Sequence, residues 1–72
     1  MYYVYLLKNK KDRIYIGYSS DLRRRLKEHG KAWKLIYYEA YLAKKDAMLR
    51  ERKLKDYGNS LAHLKKRLSN SL

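Results

Sequence analysis

The chain contains no cysteine and no proline, and only three of its seventy-two residues are glycine. Without cysteine, neither a disulfide framework nor a thiolate zinc site can form. No apolar run is long enough for a signal peptide or a membrane span, so a cytoplasmic protein with no membrane partner is the expectation. Internal repeats, low-complexity tracts and linkers are also missing. Acids are scarce: seven Asp and Glu stand against nineteen Lys and Arg, a formal net charge of +12. That exceeds what solubility requires and makes the surface attractive to polyanions, of which nucleic acid is the commonest. The excess of charge does not separate an enzyme from a passive binder or a ribosome-associated protein.

Residues 1–72 suffice for one domain, near the lower limit for a chain that folds without staples. Tyr2 to Leu7 is β-branched, aromatic and apolar, which favours a strand, and Ile14 to Tyr18 is a second. Between them Lys8 to Arg13, with Asn9 and Asp12, reads as a hairpin turn. Ser19 and Ser20 are candidate N-caps for a helix running from Asp21 to about His29, where Gly30 ends it. Leu22, Leu26 and His29 share one face of it. Trp33 to Tyr41 is the third strand. Lys44 to Tyr57 lacks breakers and reads as a helix with Gly58 at its C′ position. Ser60 is placed to cap a third helix striped by Leu61, Leu64 and Leu68. The expectation is an α+β fold, a small three-stranded, mainly antiparallel sheet packed with helices in the order ββαβαα.

Nine tyrosines suit half-buried strands, where the ring packs and the hydroxyl reaches water. Tyr5 and Tyr15 stand out by position. A three-residue loop at Asn9 to Lys11 would set them opposite each other on one face, and a two-residue loop at Lys10 and Lys11 would split them. Gly17 follows directly, either as a tolerated strand end or as a place where a ligand approaches the backbone. Arg25, three residues after Leu22 and four before His29, borders the apolar face of its helix, whereas Arg24 points away. A guanidinium held there can clamp a phosphate. His29 on the inward face is either a satisfied, partly buried side chain or a proton carrier. Glu51 falls four residues after Ala47 on the side of the second helix that Ala43, Ala47 and Leu54 make apolar. A carboxylate in such a stripe needs either an ion-pair partner or a divalent cation. Asn59 sits where asparagine is an ordinary turn residue.

Taken as one unit, Tyr3-Val4-Tyr5, Tyr15-Ile16-Gly17, Asp21-Leu22, Arg25 and His29 resemble the GIY-YIG endonuclease family, which includes the N-terminal nuclease domain of the DNA-repair excinuclease. The string from Ala47 to Lys55 is similar to the helix that carries the single metal-binding glutamate in small stand-alone members. One departure is Tyr3, which replaces the first glycine of the pattern. The resemblance implies a metal-dependent endonuclease acting on nucleic acid, DNA first of all, with little sequence specificity and no small-molecule cofactor. It implies Mg²⁺ or Mn²⁺ on Glu51, charge neutralisation by Arg25, and Tyr5 taking a proton from water once a neighbouring metal or arginine lowers its pKa. Tyr15 would position the phosphate or water, His29 would donate a proton or contact phosphate, and Gly17, Arg23 and Asn59 would contact substrate. No second recognition module accompanies these residues, which leaves a homodimer or a partner protein to supply specificity. A non-catalytic nucleic-acid-binding module on the same fold is the alternative.

Overall fold

In a computed structural model of the chain, residues 1–56 and 58–68 are described, with side chains for all of these except 58–60. The elements are β1 (Tyr2–Asn9), β2 (Ile14–Ser19), α1 (Leu22–His29), β3 (Trp33–Tyr41), α2 (Lys44–Asp56) and α3 (Gly58–Arg67). The fold is α+β in the order ββαβαα, as expected. The sheet runs β2-β1-β3 and both pairings are antiparallel.

The central strand is β1, and its residues Val4 to Leu7 are buried on both faces of the sheet. Val4 and Leu6 point to one side and pack with Ala47 and Leu54 of α2 and Leu64 of α3. Ile14, Ile16, Tyr18, Ile36 and Leu61 close around this core. Each fully buried leucine contributes about 1.5–3 kcal/mol. Tyr5 and Leu7 point to the other face and are equally buried. That face carries α1, whose Leu22, Leu26 and His29 are half-buried while none of its residues is fully buried. A bulge between Leu6 and Leu7 inserts Ile36 into the β3 side of the pairing.

Three details differ from the sequence expectation. The hairpin pairs Leu7 with Tyr15 and Tyr5 with Gly17, two positions away from the register that a loop at Asn9 to Lys11 would give. The cause is Asn9: its N–H donates to Arg13 O at 3.1 Å, and its side-chain oxygen accepts from the N–H groups of Lys11 and Arg13 at 3.0 Å each. The loop is therefore Lys10 to Asp12, with Asp12 in the left-handed region at φ 61. Because the shift is by two, parity is preserved and Tyr5 and Tyr15 stay on one face. Secondly, the cap of α1 is Asp21, whose carboxylate accepts from Arg24 N at 3.1 Å. Ser19 instead supports the turn before it, bonding the N–H and carbonyl of Asp21. Thirdly, α3 starts at Gly58 rather than after Ser60, so Gly58 opens a helix instead of closing one.

Candidate active site

Tyr5 is the centre of the candidate site. It is only 1% exposed, and its ring lies over Gly17, directly across the hairpin. A Cβ on Gly17 would come within 3.0 Å of the Cζ, Oη and Cε2 atoms of Tyr5. The missing side chain thus makes a seat for the Tyr5 ring, which occupies the space above that backbone. The hydroxyl meets Nε2 of His29 at 3.4 Å, a long hydrogen bond whose direction depends on the imidazole tautomer.

The neighbouring ring is Tyr15, one diagonal step along the sheet, with its centroid 6.3 Å from that of Tyr5. It is 41% exposed, so its hydroxyl is available to a ligand. The His29 ring packs 4.7 Å from Tyr15 and 6.1 Å from Tyr5, which fixes the end of α1 over both tyrosines. Trp33, at the start of β3, closes the row 6.0 Å beyond Tyr15.

The charges arrange themselves around this aromatic row. Burial is the main cause that pushes the Tyr5 hydroxyl above its usual pKa near 10. The neighbouring Tyr15 adds to the rise, Arg25 opposes it, and Glu51 and Glu28 reinforce it. The fields of Arg25 and Glu51 both reach the buried hydroxyl. Arg25 acts toward the lowered Tyr5 pKa that the resemblance implies, but among the chain's own groups desolvation outweighs it. Tyr5 is therefore a neutral phenol at ordinary pH.

Arg25 is half-exposed and pairs with Glu28 at 3.3 Å, sharing that acid with Arg24 at the same distance. Two guanidinium groups on one surface carboxylate leave net positive charge along α1. Arg23 lines a groove of about 390 Å³ together with Tyr3, Leu22, Leu26 and Tyr38. Asn59 lies outside the described side chains.

Glu51 occupies an edge of the α2 stripe rather than its middle. Its side chain is 26% exposed, and its one ion-pair contact among the described residues is Lys55 Nζ at 3.7 Å. Met48, Leu49, Lys45 and Arg52 line a small cavity around it. Among the described residues no three His, Cys, Asp or Glu converge on one point. A cation here would take Glu51 as its protein ligand and complete its shell with water and phosphate oxygens. Magnesium favours that kind of site, and the loosely held carboxylate fits it.

The sequence reading missed a second carboxylate. Glu39 of β3 receives a two-pronged guanidinium from Arg50 of α2, Nε at 3.0 Å and Nη2 at 3.1 Å. The hydroxyls of Tyr37 and Tyr41 donate to it at 2.6 and 2.5 Å. Burial would raise the Glu39 pKa, but the bonds from Arg50, Tyr37 and Tyr41 prevail and hold it below the usual carboxylate range. Burial and the bond to Glu39 push Tyr41 up to about 12, and Tyr37 moves the same way. The signal was present as the alternation Tyr37, Glu39, Tyr41, which sets an acid on an inward-facing strand position between two phenols. Arg50, four residues before the buried Leu54, was its visible partner.

Comparison with known proteins shows what the chain is similar to. Residues 1–32 match the GIY-YIG catalytic domain, the stretch that supplies Tyr5, Tyr15, Gly17, Arg25 and His29. UPF0213 protein CPE1444 of Clostridium perfringens (strain 13 / Type A) is 34% identical, over 71% of this chain and 67% of its own length. The solution structure of the UPF0213 protein BH0048 from Bacillus halodurans superimposes with a TM-score of 0.64 at 30% identity, covering 90% of this chain and 86% of that one. No helix among the described residues is long and apolar enough to cross a membrane. With the hairpin, the tyrosine pair and the helix order all accounted for, the chain belongs to the GIY-YIG domain family, alongside the UPF0213 proteins.

Proposed function

We propose that the protein hydrolyses nucleic-acid phosphodiester bonds, DNA in the first instance, at the Tyr5 site with a divalent cation on Glu51. The carrying observation is the Tyr5 hydroxyl: seated over Gly17, within reach of His29 Nε2, and exposed to the fields of Arg25 and Glu51. A buried neutral phenol is a poor base alone but a competent relay. As water attacks phosphorus and the P–O bond to the leaving strand breaks, the water's proton passes to Tyr5 Oη and the Tyr5 proton moves to Nε2 of His29, while solvent supplies the proton that the leaving oxygen takes up. Histidine is the side chain best suited to exchange a proton near neutrality. Tyr15, half-exposed beside Tyr5, donates to a phosphoryl oxygen and orients it. Arg25 releases Glu28 to neutralise charge that develops on the phosphoryl oxygens. Mg²⁺ or Mn²⁺, when bound, adds positive charge at the phosphate and the leaving oxygen.

The Lys55–Glu51 contact favours a second reading, in which Glu51 is a surface ion pair and the domain only binds nucleic acid. Cleavage of supercoiled, branched and single-stranded DNA at low salt separates the two. Wild type and Glu51→Ala are compared with Mg²⁺, Mn²⁺ and chelator. Metal-dependent cutting that disappears in Glu51→Ala, with DNA binding retained, is the expected result. Equal binding by both proteins and no cutting with either metal would establish the binding module instead.

A further inference from the structure

Tyr5, Leu7 and Asn9 of β1 share one face of the sheet with Tyr15 and Gly17 of β2 and with Trp33 at the start of β3. Moving away from Tyr5 along this face, the order is Tyr15, Trp33 and then the hairpin turn. A cavity of about 570 Å³ opens there, lined by Asn9, Lys10, Lys11, Arg13, Lys31 and Ala32. Four of these six residues are cations. The nearby acid is Asp12, which is turned away onto Lys8 Nζ at 3.1 Å. The turn is rigid, because Asn9 ties Lys11 and Arg13 to itself, so the cations are presented on a fixed frame. One face therefore carries a proton-relay centre, then a pair of aromatic rings, then a basic pocket.

We infer that this row is a docking track for an unpaired nucleic-acid strand, with one base stacked on Trp33, whose ring is tilted 59° from that of Tyr15, and the next phosphates seated in the Lys10–Lys11–Arg13–Lys31 pocket. The span from Tyr5 to Asn9 is about 14 Å at strand rise, or about four stacked nucleotides and fewer when the strand is extended. A duplex offers phosphates to the pocket, but its bases are already stacked on one another and present no free ring to tryptophan. An unpaired strand offers both, and aromatic platforms interleaved with cations are how such strands are held without reading sequence. The inference rests on the proposed hydrolysis for the meaning of the Tyr5 end, and names the form of substrate that end receives.

Trp33 is the sole tryptophan, so its emission reports on its own platform. In chelator, where cutting is suppressed, a short oligothymidylate and its oligouridylate counterpart are each titrated against the protein beside a blunt duplex of equal length. Saturable quenching of Trp33 by the single strands, with duplex bound but unquenching, is the expected outcome, and the two single strands tell DNA from RNA. Measured by anisotropy, Trp33→Leu weakens single-strand binding roughly ten-fold or more, and Trp33→Phe restores most of it. The double change Lys10→Ala and Lys11→Ala lowers the slope of log affinity against log salt by about 1.4. Single-strand binding without quenching, or equal quenching by duplex, overturns the track. Should Trp33→Leu bind and cut like wild type, the track fails while hydrolysis stands; quenching without cutting under either metal defeats hydrolysis alone.

Discussion

Glu39 and Glu51 are both half-buried acids in the same small domain, yet their surroundings are opposites. Glu39 has every oxygen committed: two bonds from Arg50 and one from each of two tyrosines. Glu51 has one lysine at 3.7 Å among the described residues. Arg50 and Glu51 are adjacent on α2 and flank the same Ala47–Leu54 stripe. Pinning Arg50 to β3 fixes how the helix is rotated, and with it the direction in which Glu51 leaves. The lesson is that a saturated carboxylate builds structure, while one held by a single long ion pair among the described residues leaves room for the cation proposed above.

The comparison breaks most visibly under Glu39→Ala. Leaving Arg50 without its acid costs roughly 2–4 kcal/mol, less than for a fully buried pair because both side chains keep some contact with water. A chain of this size has about 4–11 kcal/mol in total. Thermal unfolding followed by circular dichroism is expected to shift down by roughly 10–20 °C. Glu51→Ala is expected to change stability by less than about 0.5 kcal/mol and to remove the proposed cleavage. Equal losses of stability in the two variants would erase the distinction.

Tyr5→Phe deletes the hydroxyl and keeps the ring on Gly17. Single-turnover cleavage is expected to drop by about 10²-fold or more with unfolding unchanged, and a fall of less than about ten-fold would remove Tyr5 from the relay. Gly17→Ala does the reverse, displacing the ring at a cost of about 1–3 kcal/mol.

The pH dependence sharpens the contrast from both sides. The folded pKa of Glu39 is depressed below 4.5, so its stabilisation is present above that pH and fades as acid titrates through the lowered value. Tyr41 is raised from 10.0 to about 12, so its share is intact below pH 10 and is lost as the pH climbs toward 12. In denaturant titrations Tyr41→Phe makes the alkaline fall shallower. An unchanged alkaline limb would show that the phenol–carboxylate bond contributes nothing. The smallest effect is Lys55→Ala, within about 0.5 kcal/mol, because an exposed pair at that distance is screened.

Much of the fold was legible in the sequence because it follows from local rules: the strand composition of Tyr2 to Leu7, the turn residues after it, the apolar spacing in α1 and α3. The hairpin register was not, because a side-chain oxygen on Asn9 decides it, and such a bond leaves no periodic trace. Of the candidate site, Tyr5, Tyr15 and His29 were named and lie together, and the spacing of α1 explains why: Leu22, Leu26 and His29 share a face. The burial of Tyr5 was not legible, since 1% exposure is a property of the packed sheet and not of any motif. Glu39 escaped because a lone acid on a helix is the more conspicuous signal than an acid framed by two tyrosines on a strand.

The seat beneath Tyr5 also constrains how this chain can change. Because the ring fills the volume that a side chain at Gly17 would need, the two positions form one lock whose halves cannot be altered in turn. Gly17→Ala first expels the ring, and Tyr5→Ala first leaves a hole against bare backbone, so either first step on the path is worse than the start. A double-mutant cycle between them would read as strong coupling across the hairpin. The two halves of the sequence motif, one on each strand, are thereby tied into a single unit that drift can cross only by moving both at once.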